Sequence, residues 1–71
     1  RHGFVHALAG DVVELLDPRP GERIVDAGSG TGHLAARIAA RGAHVLGLDA
    51  SSAMVEAARA RYPELRFEVA D

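Results

Sequence analysis

The residues with the clearest chemical potential are Asp26, Gly28, Gly30 and Gly32, which alternate with Ala27, Ser29 and Thr31. The acid closes a short apolar run, Ile24-Val25, and a helical pattern starts at Leu34. That order predicts a strand, a tight turn and a helix N-terminus. Glycines at such a turn let the backbone bend and let a ligand come close to the main chain. The first N–H groups of the helix have no partner inside it and point at whatever sits above the turn. Alternating glycines are costly in conformational entropy, which argues against a plain turn with no ligand.

Several nucleotide-like ligands use a glycine-rich turn of this kind. A phosphate-loop site needs Gly-Lys-Ser/Thr, and the chain contains no lysine. The dinucleotide pattern G-x-G-x-x-G/A fails when it starts at Gly28, because His33 takes its third small position. It fits when it starts at Gly30, with Gly32 and Ala35, so spacing alone leaves NAD open. Charge argues the other way. Asp26 stands at the mouth of the turn, where it repels a pyrophosphate and attracts a cation. S-adenosylmethionine carries a sulfonium and an ammonium and no phosphate, and its carboxylate can take helix N-terminal N–H groups.

A second acid, Asp49, follows Gly30 at about the 20-residue interval expected for a carboxylate that accepts from ribose hydroxyls. It can also be read as a helix-capping acid before Ser51-Ser52. His2 and His6 lie four apart on the first helical pattern, but no third ligand is suitably placed, so no metal site is expected. His33 falls in a first helical turn and His44 at the start of a strand, and both read as surface residues. Met54 reads as a core residue.

These residues need elements to hold them. Apolar spacing from Gly3 to Leu16 predicts an amphipathic helix, weakened by Gly10. Asp17-Pro18 and Pro20-Gly21 end it. Arg23 to Ala27 reads as a strand buried on both faces. Thr31 to Arg41 is a helix with Leu34, Ala35, Ile38 and Ala39 inward, capped by Gly42. Ala43 to Leu48 is the second strand, ending in Asp49. Ser52 to Arg61 is a helix capped by Ser51 or Ser52, with Met54, Val55 and Ala58 inward. Tyr62-Pro63 ends it, and Leu65, Phe67 and Val69 alternate with Arg66 and Glu68 as an edge strand. Right-handed crossovers then give three parallel strands in spatial order 3-2-1, the first half of a doubly wound α/β sheet.

With these motifs in place, Asp26-x-Gly28-x-Gly30-x-Gly32 resembles motif I of the class I S-adenosylmethionine-dependent methyltransferases. The lead-in Pro20-Gly21-Glu22-Arg23, the segment Asp49-Ala50-Ser51-Ser52-Ala53-Met54 and the segment Phe67-Glu68-Val69-Ala70-Asp71 extend the likeness over nearly the whole chain. Within the family, the chain is similar to the trans-aconitate methyltransferase type. The resemblance implies a Rossmann-like fold of which residues 1–71 are the N-terminal half, strands four to seven being elsewhere. It implies S-adenosyl-L-methionine as cofactor. Gly28, Ser29 and Gly30 would meet its methionine portion, Asp26 its ammonium and Asp49 its ribose. Ala50 would lie by the adenine, where the family often has a larger apolar residue, and Asp71 would accept from the adenine amino group. It implies methyl transfer to an acceptor, read as a small molecule. The alternatives are an NAD-dependent oxidoreductase using Gly30, Gly32, Ala35 and Asp49, and a domain that binds S-adenosylmethionine without transferring methyl. No catalytic residue can be named.

Composition bounds the rest. Seventy-one residues make at most one small domain, and the chain reads as a piece of a longer protein, weakly folded and inactive alone. Eight arginines against ten acids give a net charge of −2. The signs are mixed without a basic stripe, so nothing indicates a nucleic-acid partner. There is no cysteine, which suits a cytoplasmic protein, and no signal peptide or long apolar run that would indicate a membrane.

Overall fold

The computed structural model describes residues 9–70. The chain runs α1 (Ala9–Leu16), β1 (Arg23–Ala27), α2 (His33–Ala39), β2 (His44–Asp49), α3 (Ser52–Arg61), β3 (Arg66–Val69). The residues before Ala9 lie outside this range, and with them the first six residues of the expected first helix and the His2/His6 pair. So does Asp71.

The three strands form one parallel sheet in the order β1-β2-β3, with β2 central. Asp26 pairs in register with Gly47, and Gly47 with Phe67. Helix α2 packs on β2, α3 on β2 and β3, and α1 on α2. Val13, Ala35, Ile38, Ala43, Val45, Val55, Ala58 and Phe67 make the buried core between helices and sheet. It is an alanine-rich core, held mainly by the few larger side chains among these eight.

Turn chemistry sets the helix ends. Gly32 has φ +93°, outside helical values, so α2 starts at His33 rather than at Thr31. At its other end Gly42 also has φ +93°, and its N–H donates to Ala39 O at 2.9 Å. Ser51 caps α3 by accepting from Met54 N at 3.2 Å. Arg59 ties that helix to the sheet edge by donating from Nε and Nη2 to Phe67 O at 3.1 and 2.8 Å.

Three expectations about burial are corrected. Strand β1 is not buried on both faces: Arg23, Val25 and Ala27 are exposed, Val25 by 60%. The described helices cover one side of the sheet only, so alternate residues face away from them. That uncovered side carries a groove of about 710 Å³ along the N-terminal halves of the strands, lined among others by Val25 and Leu46. Met54 is exposed, because Val55 and Ala58 form the stripe that α3 turns to the sheet. Val69 is exposed as well, at the end of a strand that no further described strand flanks. Among the described residues no helix is long and apolar enough to cross a membrane.

Candidate cofactor site

Asp26, the glycine loop and Asp49 meet at the C-terminal ends of β1 and β2, the end of a parallel sheet where ligands bind. A cleft of about 360 Å³ opens there, lined by Ala27, Gly28, Leu48, Asp49, Ala50 and Ala70. Gly28, Asp49 and Ala50 were expected from the sequence. Ala27, Leu48 and Ala70 were not, although strand ends are where such lining residues should be sought.

The loop is stitched to β2. Gly28 N and Ser29 N both donate to Leu48 O, at 2.7 and 2.8 Å. Gly30 N donates to Asp49 Oδ2 at 2.9 Å, and Gly32 N to Ser29 O at 3.0 Å. The donors of these four residues are therefore taken within the chain. A pyrophosphate laid on this loop would find their N–H groups spent, and Asp26 beside them.

The glycines divide into two kinds. Gly28 (φ +74°) and Gly30 (φ +56°) have nothing among the described residues within 4 Å of where a Cβ would stand, so the main chain is open to a ligand there. Gly32 is packed from below. Its Cβ would lie 2.7 Å from Phe67 Cζ and 3.1 Å from Tyr62 Cδ2.

Asp26 sits at the end of β1 with its Oδ2 buried and without a hydrogen-bond partner among the described residues. Burial pushes its carboxyl above the usual carboxylate range. Ser29, 8% exposed, likewise leaves its Oγ unpartnered. Asp49 is the reverse case. Its Oδ1 accepts from Ser51 N and its Oδ2 from Gly30 N, both at 2.9 Å. The Ser51 bond first and the Gly30 bond second hold its carboxyl below the usual range, against a smaller opposing effect of burial. Ser51, not Asp49, caps α3, and Asp49 holds the N–H of that cap residue. Asp49 thereby braces the start of α3, and it stands in the cleft with lone pairs to spare.

His33 is exposed in the first turn of α2, where its Nδ1 pairs with Tyr62 OH at 3.1 Å. His44 is exposed at the start of β2. No group of His, Cys, Asp and Glu among the described residues could hold a metal ion.

These residues fit S-adenosylmethionine. An unpartnered buried carboxylate oxygen suits an ammonium, two open glycines suit close approach, and a carboxylate at the second strand end suits a diol. Residues 24–71 match the family described as "Methyltransferase domain". The chain is 47% identical over 68 residues to the 23S rRNA (uracil-C5)-methyltransferase RlmD of Thiobacillus denitrificans, covering 89% of this chain and 16% of that protein. It is 47% identical over 68 residues to the trans-aconitate 2-methyltransferase of Deinococcus radiodurans, covering 92% of this chain and 26% of that one. Among solved structures it superposes on Haemonchus contortus phosphoethanolamine N-methyltransferase 2 in complex with S-adenosyl-L-methionine, with TM-score 0.81 and 27% identity over 89% of this chain and 16% of that chain. The chain therefore spans between 16% and 26% of the length of these proteins.

Proposed function

Because the chain belongs to the class I S-adenosylmethionine-dependent methyltransferases, we propose that it is the N-terminal half of a single cofactor-binding domain in a longer cytoplasmic enzyme that methylates a small molecule. The observation that carries this is Asp26 Oδ2, buried without a partner among the described residues, beside a loop in which the N–H groups of Gly28, Ser29, Gly30 and Gly32 are already taken. Such a site is built for a cation and not for a phosphate.

S-adenosylmethionine, when bound, supplies an electrophilic methyl group on a sulfonium. The chain's own residues bind and orient it. Asp26 takes the ammonium. Gly28, Ser29 and Gly30 lay the main chain against the methionine portion. Asp49 accepts from the ribose hydroxyls while it keeps Gly30 and Ser51 in place. Ala50 would lie against the adenine, and Asp71, outside the described residues, is the acid that the family resemblance assigns to its amino group. The rate gain comes from alignment of acceptor and methyl and from exclusion of water, by residues of the longer protein. A small-molecule acceptor is favoured by a net charge of −2 with no basic stripe. The rRNA enzyme is as similar as the trans-aconitate enzyme over this stretch, which holds cofactor and not acceptor.

Calorimetry on the full-length protein tests the reading. S-adenosylhomocysteine should bind more tightly than NAD. Heat from NAD with none from S-adenosylhomocysteine would sink it.

Asp49→Ala in the same protein should weaken S-adenosylhomocysteine by about 30-fold, the loss of two charge-assisted hydrogen bonds. Stability should change in a pH-dependent way. A carboxyl lowered on folding stabilises above its ordinary value near 3.8, and that stabilisation disappears as pH falls through the lowered value. The variant should therefore be less stable than wild type at neutral pH and equal to it in strong acid. Affinity within about threefold of wild type would leave Asp49 only its bracing role.

A further inference from the structure

Phe67 does not line the cleft, yet its ring lies under the glycine loop. It stands on β3, is 2% exposed, and shares a sheet level with Gly47. A Cβ at Gly47 would lie 2.5 Å from Phe67 Cδ1, 2.8 Å from its Cε1 and 3.0 Å from Ser29 Oγ. A Cβ at Gly32 would lie 2.7 Å from Phe67 Cζ and 3.0 Å from its Cε1. The missing side chain at Gly47 gives the ring room to cross β2, and the missing one at Gly32 lets its tip meet the end of the loop. Ser29, whose backbone N–H is tied to β2, buries its hydroxyl at the same spot. Packing from β2 and from the loop converges on one ring of β3, while Gly28 and Gly30 meet no described atom within 4 Å of where a Cβ would stand.

We infer that Phe67 is a positioning residue. Its ring sets the seat of the glycine loop, and so the affinity for the cofactor, without touching the cofactor. This rests on the reading of the loop as the cofactor's seat. Interiors are close-packed and pass displacements on, and a loop that moves by about 1 Å can lose about a hundredfold in function.

The test is S-adenosylhomocysteine calorimetry on full-length variants, with urea unfolding alongside. Phe67→Leu should raise Kd about tenfold at a temperature where it is folded. Val55→Ala, at an equally buried α3 site that is not among the near neighbours of these glycines, should leave Kd within about twofold. Gly47→Ala presses on the ring and should also weaken binding. In the Phe67→Leu background it should cost less than it does in wild type, because the Cε1 it would strike has gone and the shorter leucine Cδ methyls can turn aside from the new methyl. If Phe67→Leu does not fold, Phe67→Met reads the same contact more gently. A Phe67 variant that loses stability as Val55→Ala does, and binds within twofold of wild type, overturns the inference alone. Additive effects of Phe67→Leu and Gly47→Ala overturn it too. A wild type that does not bind S-adenosylhomocysteine overturns the cofactor reading and this inference with it.

Discussion

Asp26→Asn should weaken S-adenosylhomocysteine binding by about ten- to a hundredfold and leave the ligand-free protein no less stable than wild type. The two halves of this expectation share a cause. In the ligand-free protein the Asp26 carboxyl has a buried oxygen without a partner among the described residues, and burial raises its pKa. A raised carboxyl stabilises the fold only below its ordinary value near 3.8, and that contribution is lost as pH rises through the raised value. At neutral pH the charge is therefore a cost to folding, which the amide removes. An ammonium in the site would reverse the account by pairing with the charge. A hydrogen bond to a charged partner is worth about 1.5–3 kcal/mol, which corresponds to roughly ten- to a hundredfold in Kd. Calorimetry gives the affinity and urea unfolding the stability. A variant that binds as wild type does, or one clearly less stable without ligand, would show that Asp26 serves the fold and not the cofactor. Affinity of wild type should also fall as pH drops through the raised Asp26 value, and the variant should lack that acid-side loss.

Gly32→Ala should be the most damaging single methyl in the loop. The residue has φ +93°, where an L side chain costs about 1–2 kcal/mol. The new Cβ would also stand 2.7 Å from Phe67 Cζ, and overpacking of a filled core costs about 1–3 kcal/mol more. Together that is about 2–5 kcal/mol, a large part of the roughly 5–15 kcal/mol that holds a domain folded. Gly28→Ala carries the backbone strain alone, since nothing among the described residues lies within 4 Å of its Cβ. It should cost about 1–2 kcal/mol of stability, and its added methyl should obstruct the cofactor instead. Urea midpoints of the two ligand-free variants decide the matter. Equal losses would mean that the Phe67 ring yields and that the three glycines are alike.

The element order, the sheet order and the position of the loop were legible in the sequence, because they follow from local signals. Pro20-Gly21, the alternating glycines, Gly42 and Tyr62-Pro63 each break or start an element through their own φ/ψ limits. Right-handed crossovers then leave one arrangement for short parallel strands. Charge next to the loop needed no coordinates either, since Asp26 stands two residues from Gly28 whatever the fold.

The tertiary structure decided the rest, wherever a property depends on what lies across the sheet. An apolar strand such as β1 cannot show from its own residues that the described helices cover one face only, so Val25 read as core and is exposed in this chain. The glycines look identical in sequence. Only the approach of Phe67, from a strand more than thirty residues on, makes Gly32 a packing position and leaves Gly28 and Gly30 open. Asp49 could be read as ribose acid or cap. The bond from Ser51 N is local, but only the pairing of β1 with β2 brings Gly30 N to the same carboxylate, because hydrogen bonds between distant residues are set by register and not by spacing.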